Sequence, residues 1–138
     1  MFFLWRAEHK MFTWIKNKIL GERVEMQSTA KTERYYQLKC NEVLQGKVEY
    51  RLSDATRVDI LTEDLAIEVD FAKKYYEAIG QACHYAEMTE RKPAILLIVR
   101  EKYQEKYVEA ASRLCKSTKI RVGGEDYHIV MMIYRDFS

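Results

Sequence analysis

Residues 94–99, Ala-Ile-Leu-Leu-Ile-Val, form an apolar run without a single polar interruption. A half-exposed strand alternates apolar and polar side chains, so this run predicts a strand that is buried on both faces. Such a strand lies inside a sheet that has helices packed on each side. The chain has 138 residues, enough for one such domain, and its single proline and five glycines argue against a disordered or fibrous chain.

The patterns on either side of this run predict three early strands and three helices. Apolar and charged residues alternate over the early strands, and turn residues at 53–55 and 63–64 separate them. We expect helices over residues 30–44, 73–88 and 101–115, and strands over 47–52, 56–61, 65–70, 94–99 and 127–134. The expected fold class is therefore α/β, a central mixed sheet flanked by helices in the order αβββαβ, with a further C-terminal helix and strand.

The first of these helices has boundary signals at both ends. Ser28 or Thr29 is the expected cap, and Gln45-Gly46 follows the last turn. Its apolar side is expected to consist of Tyr35, Leu38 and Val43, with Tyr36 and Cys40 nearby.

The N-terminal segment is apolar but interrupted by charge. Its two apolar stretches, residues 2–5 and 11–15, are each too short for a signal peptide or a membrane-spanning helix. We expect an amphipathic helix and linker over residues 1–28, packed on a domain over 29–138 or on a second copy of the chain. A membrane surface or a partner protein is the lesser alternative.

Composition restricts the function only weakly. The net charge of +2 leaves nucleic-acid binding to a local basic patch. The three cysteines are widely spaced and form no Cys-x-x-Cys pair, which argues against a structural zinc site. They are expected to be free thiols in a reducing compartment, the cytoplasm.

Two acids in apolar strands carry the functional prediction. Asp59 lies on the second early strand and Glu68 on the third, and the turn between these strands predicts that the two acids are neighbours. Burying a carboxylate alone is costly, so a cation is expected to accompany the pair. Hard oxygen ligands suit Mg²⁺, and a bound metal activates water for attack on a phosphodiester.

At these residues the chain resembles the PD-(D/E)xK phosphodiesterase superfamily, which includes restriction endonucleases and archaeal-type Holliday junction resolvases. The family pattern is an acid on one strand and acid-x-lysine on the next, within a core of the order predicted for residues 30–100. Gln81 and Tyr85 match a glutamine and a tyrosine found in exonuclease branches, and residues 68–86 are similar to small phage and bacterial members. The resemblance implies a restriction-endonuclease-like core, a Mg²⁺- or Mn²⁺-dependent DNA nuclease and, by analogy with resolvases, a homodimer.

One position departs from this pattern, because Asp70 stands where the family has lysine. Some members place the lysine on the following helix, which here offers Lys74 or Lys73. Lys74 is favoured because it lies seven residues before Gln81 and so shares a helical face with it. Asp70 is then a further metal ligand or a helix cap. Glu33 matches the glutamate that the family often supplies from its first helix.

The remaining expectations concern DNA contacts and two alternatives. Candidate contacts to DNA are Lys74, Gln81, Tyr85 and Arg57, and candidate phosphate contacts also include Lys31, Arg34, Lys39 and Arg91. One alternative is a nucleic-acid-binding module with an inactive site, which the displaced lysine favours. The other is an interaction protein that dimerises through its N-terminal helix.

Overall fold

The computed structural model of the protein describes residues 31–138, so the expected helix and linker over residues 1–28 lie outside the described residues. Three α-helices and seven strands follow one another in this part of the chain. The helices are α1 (Glu33–Leu44), α2 (Tyr75–Thr89) and α3 (Glu105–Ser117). The strands are β1 (Lys47–Arg51), β2 (Arg57–Leu61), β3 (Leu65–Phe71), β4 (Lys92–Val99), β5 (Lys119–Val122), β6 (Glu125–His128) and β7 (Val130–Arg135).

A mixed five-stranded sheet organises the domain, as the sequence predicted. Its strand order is β1-β2-β3-β4-β7. The β1–β2 and β2–β3 pairs are antiparallel, whereas β3–β4 and β4–β7 are parallel. Strands β3, β4 and β7 therefore all end at the same edge of the sheet.

Helices cover both faces of the sheet. Tyr36 and Cys40 of α1 pack on one face against side chains such as Ile67 and Leu96. On the other face, α2 and α3 enclose a second apolar cluster that includes Ile95 and Leu97 of β4. Seven of the eight residues of β4 are buried, which confirms the prediction made from the uninterrupted apolar run.

Helix α1 differs from its prediction in its cap and in its buried side. Thr32 caps the helix, and its hydroxyl accepts the Tyr35 N–H at 3.3 Å. Leu38 and Val43, predicted to be apolar contacts, are 44% and 50% exposed. The helix buries Tyr36 and Cys40, which were predicted to lie near its apolar side, and also the polar residues Gln37 and Lys39. The prediction was wrong for Leu38 and Val43 because it followed apolar residues, whereas the buried side of α1 contains two polar side chains.

The C-terminal region contains a hairpin that the sequence did not predict. The expected single strand over residues 127–134 is divided at Ile129 into β6 and β7, and β6 pairs with β5 in a separate two-stranded sheet. Gly123 and Gly124 form the turn between them with positive φ angles of 58° and 84°. The prediction took β6 and β7 as one strand because they are separated by a single apolar residue.

The helices after β3 and β4 also begin later than predicted. Each is preceded by a short 3-10 turn, Ala72–Lys74 before α2 and Lys102–Gln104 before α3. Among residues 31–138, no helix is sufficiently long and apolar to cross a membrane.

Candidate metal centre

Strands β2 and β3 pair only near their shared turn, through Ile60–Ile67 and Leu61–Ala66. The same register, continued by one residue, sets Asp59 opposite Glu68. There the strands exchange no further backbone pair. Instead, the Asp59 carboxylate accepts the backbone N–H of Val69 at 2.8 Å. The side chain of Asp59 thus lies in the opening between the two strands.

Glu68 is a buried acid at this opening, and it faces Asp59 directly. The residue is 6% exposed, and its Oε2 atom has no hydrogen-bond partner among residues 31–138. Burial and the negative charge of Asp59 raise the pKa of Glu68 well above its usual range. A protonated Glu68 donates a hydrogen bond to Asp59, whose own pKa burial raises to about 6. The predicted pair is therefore brought together, and the pKa of each member is raised.

Asp70 and Glu33 extend this pair into a group of four acids. Asp70 is 3% exposed, and its Oδ1 accepts the Phe71 N–H at 2.8 Å. Burial, followed by a hydrogen bond with Glu33, raises the pKa of Asp70 to about 7. Glu33 also raises the pKa of both Asp59 and Glu68, so α1 places its first-turn acid close to the opening.

These residues fit a divalent metal in the chemistry of their donors. Carboxylate oxygens are the ligands that Mg²⁺ and Mn²⁺ take, and Glu68 offers a buried oxygen that no group in residues 31–138 satisfies. A cation would also offset the mutual repulsion that, together with burial, raises the pKa values of these acids. In residues 31–138, no three His, Cys, Asp or Glu side chains form a ready-made set of ligands. A shared ion would therefore need side-chain adjustment, including release of the hydrogen bond between Glu68 and Asp59.

The two candidate lysines lie at the edge of this group. Lys73 and Lys74 are exposed and belong to the 3-10 turn that links β3 to α2. The charge of Lys74 partly offsets the rise in the pKa of Asp70, which places its amine near that carboxyl. Among the described residues, no lysine is one of the groups that most affect the pKa of Asp59 or Glu68.

Gln81 and Tyr85 connect the surface of α2 to the acids. Tyr85 is 8% exposed, and its hydroxyl donates a long hydrogen bond of 3.5 Å to Oε1 of the exposed Gln81. Burial raises the pKa of Tyr85, and the charges of Glu68 and Asp59 raise it further. The phenol therefore lies within electrostatic reach of the acid pair.

The candidate phosphate contacts are dispersed, and most already have protein partners. Arg57 and Arg34 both pair with Glu49, at 3.8 and 3.3 Å. Lys39 is buried and pairs with Glu42 at 3.3 Å. The Nε atom of Arg91 donates to the backbone oxygen of residue 63 at 3.1 Å. Lys31 forms an ion pair with Asp136 at 2.7 Å.

One supporting residue was missed by the sequence reasoning. The side chain of Gln37 donates to the backbone oxygen of Asp59 at 2.6 Å, which ties α1 to the strand that carries the acid. Gln37 lies four residues after Glu33 and so shares its helical face, a signal that was present in the sequence.

Comparison with known proteins assigns this chain to no family. No protein-family model, no curated protein and no solved structure matches the chain. The resemblance to the PD-(D/E)xK superfamily therefore stays a prediction.

Proposed function

We propose that the protein is a metal-dependent nuclease that hydrolyses phosphodiester bonds in DNA, with a restriction-endonuclease-like core. The observation that carries this proposal is the buried Oε2 atom of Glu68, which has no hydrogen-bond partner in the described part of the chain, in a carboxyl group that faces Asp59 on the neighbouring strand. Native structures leave few buried polar atoms unsatisfied, and those that remain often belong to functional sites. A carboxylate group that lacks a donor but adjoins other acids is better explained by a missing cation than by stability.

Asp59 and Glu68 would hold the metal, with Asp70 and Glu33 as further ligands. When bound, Mg²⁺ or Mn²⁺ supplies an activated water and neutralises charge that develops on the phosphate. The Val69 N–H holds Asp59 in the opening between the strands, and Gln37 fixes the backbone of Asp59 from the opposite helix. These two hydrogen bonds keep Asp59 in the opening before substrate arrives.

Among residues 31–138, Lys74 is the lysine best placed to orient a water beside the acids. Its amine lies near Asp70 at the carboxyl end of β3, and the residue is exposed. An ammonium at this point would donate to an attacking water or to a phosphate oxygen. Gln81 is exposed on α2 and would contact the nucleic-acid backbone. The hydrogen bond from the Tyr85 hydroxyl would hold the Gln81 side chain in that position.

A second function is supported by a specific observation. The charge of Lys74 lowers the pKa of Asp70. No lysine in residues 31–138 is among the groups that most affect the pKa of Asp59 or Glu68. A protein of this fold that binds nucleic acid and a metal without cutting would show the same arrangement.

A cleavage assay separates the two functions. Branched, linear duplex and single-stranded DNA are incubated with Mg²⁺ or Mn²⁺ and wild-type protein, Asp59→Asn, or Asp64→Asn. Asp64 is exposed in the turn between β2 and β3 and serves as the matched control. We expect Asp59→Asn to lose more than about 100-fold in rate, because even a residue that only supports a metal ligand contributes roughly 10- to 100-fold.

The control variant should cut at the wild-type rate. If wild-type protein binds DNA but cuts none of the three substrates with either metal, the nuclease proposal fails and the binding function replaces it. Equal cutting by wild-type protein and Asp59→Asn would place the active site elsewhere.

A further inference from the structure

A polar cleft opens at the edge of the sheet where the parallel strands end. It has a volume of about 250 Å³ and is lined by Lys31, Tyr36, Arg100, Asp136 and Ser138. Arg100 directly follows β4, and Asp136 directly follows β7. The cleft therefore belongs to the same edge of the sheet as Asp70, which is near the end of β3.

The floor of the cleft is a buried carboxylate that protein donors already satisfy. Asp136 is 5% exposed and accepts from Lys31 Nζ at 2.7 Å, from the Tyr36 hydroxyl at 2.8 Å and from the Ser138 hydroxyl at 2.5 Å. Burial opposes its ionisation, but these hydrogen bonds lower the pKa of Asp136 overall. The carboxylate thus holds Lys31 and Tyr36 in place, and among residues 31–138 it forms no ion pair with Arg100.

Arg100 is fixed by stacking, and its hydrogen-bond donors stay available. Its guanidinium carbon lies 4.2 Å from the centre of the Phe71 ring. Its backbone N–H donates to Gln104 at 2.8 Å, within a capping box that orders the turn after β4. Within residues 31–138 no hydrogen bond or ion pair engages the guanidinium. Stacking occupies the face of a guanidinium and leaves the N–H groups on its edge, the geometry with which arginine binds phosphate.

Phe71 joins this cleft to the acids. Its backbone N–H donates to the Asp70 carboxyl, and its ring supports Arg100. A nucleic-acid strand that reaches the acids would place a neighbouring phosphate near Phe71 and Arg100. A site made of acids repels a polyanion, so a fixed cation next to it is needed to hold the strand.

We infer that the Arg100 cleft binds a phosphate group of the substrate strand, with Arg100 as the principal contact and Lys31 and Tyr36 as its supports. The inference rests on the proposed function for its ligand, a nucleic acid. The phosphate belongs to the interior of the strand or to its end, and these two sources are separable by experiment.

The test is made in EDTA, so that it does not depend on metal or on cleavage. Arginine Nε–H signals of ¹⁵N-labelled full-length protein are followed while inorganic phosphate is added, with chloride at equal ionic strength as the reference. Binding of single-stranded oligonucleotides with and without a 5′-phosphate is then measured by fluorescence anisotropy at several salt concentrations. Arg100→Gln and Arg100→Lys are compared with Arg113→Gln, which alters an exposed arginine of α3.

We expect phosphate to shift the Arg100 signal and not that of Arg113. Arg100→Gln should lower the slope of log affinity against log salt by about 0.7, the value for one phosphate contact on a single strand, which is about fivefold in affinity near 0.1 M salt. Arg100→Lys should retain the slope and lose part of the affinity, because it keeps the charge without the stacked fork. A loss confined to 5′-phosphorylated strands assigns a terminal phosphate, and an equal loss on both strands assigns an interior one.

The inference is overturned if phosphate leaves the Arg100 signal unchanged, or if Arg100→Gln binds both strands with wild-type affinity and slope. If phosphate binds at Arg100 but the protein cuts no DNA, the phosphate site is supported and the nuclease proposal fails. If the protein cuts DNA with a metal but its Arg100→Gln variant binds DNA normally, the nuclease proposal is supported and the phosphate site fails.

Discussion

Replacing Glu68 with glutamine should stabilise the metal-free protein. Glutamine has nearly the same shape, and its amide would take over the hydrogen bond that protonated Glu68 donates to Asp59. At about pH 7, the unfolded chain has Glu68 ionised, since its usual pKa is 4.5, whereas the folded chain keeps it protonated. Taking up that proton roughly 2.5 pH units above the usual value costs about 3 kcal/mol of folding free energy, at 1.36 kcal/mol per unit.

The effect must depend on pH with a definite sign. The folded state binds more protons than the unfolded state between the usual pKa of Glu68 and its raised folded value. Wild-type stability therefore falls as pH rises through this window, by about 1.4 kcal/mol per pH unit from this group. Asp59 and Asp70 also lower the free energy of unfolding as pH rises, and their contributions end near their folded pKa values of about 6 and about 7. The advantage of Glu68→Gln should be near zero at about pH 4.5 and reach about 3 kcal/mol near pH 7.

Urea unfolding in EDTA, followed by far-ultraviolet circular dichroism, measures this difference. Glu87→Gln, at an exposed position of α2, is the control and should show no comparable gain. The reasoning is refuted if Glu68→Gln is less stable than wild-type protein near pH 7, or if the difference between them is the same at both pH values.

Three further outcomes follow from the structure. Gly46→Ala should cost about 1–3 kcal/mol in urea unfolding, because an added Cβ would lie 2.7 Å from the Leu61 carbonyl oxygen; an unchanged midpoint would contradict this packing. Gly80→Ala should instead gain about 0.5–1 kcal/mol, since nothing lies within 4 Å and alanine favours a helix; a loss would show an unrecognised contact. Lys74→Met should slow DNA cleavage far more than it weakens DNA binding, whereas Lys73→Met should change neither the cleavage rate nor the affinity. If the two variants have equal effects, the role proposed for Lys74 is wrong.

The sequence predicted the sheet well because its signals there are strong and local. The apolar run of β4 admits few alternatives, and the turn at residues 63–64 sets Asp59 opposite Glu68 once both strands are assigned. The hairpin β5–β6 was missed because its strands are only four residues long and a single apolar residue separates β6 from β7. The buried side of α1 was mispredicted because Gln37 and Lys39 are buried for their hydrogen bonds, which hydrophobic spacing does not register.

The site was predictable in its residues and not in its details. Acids in apolar strands stand out in any sequence, so Asp59, Glu68 and Asp70 were identified before the fold. Their mutual effect on protonation depends on the gap between β2 and β3, and no local pattern encodes that gap. The stacking of Arg100 on Phe71 was equally hidden, because the two residues meet only through the parallel pairing of β3 with β4.

Calorimetric titration of Mn²⁺ into wild-type protein and Asp59→Asn tests the central claim most directly, when it is run near pH 7 in two buffers with different ionisation heats. Binding at the acids must displace the proton of Glu68, and the buffer takes up that proton. The binding enthalpy of wild-type protein should therefore differ between the two buffers by the difference in their ionisation enthalpies, multiplied by about one proton released per bound ion. Asp59→Asn should bind much more weakly. Wild-type protein that binds no Mn²⁺, or that binds it equally well as Asp59→Asn with no proton released, would contradict the assignment of these acids as a metal centre.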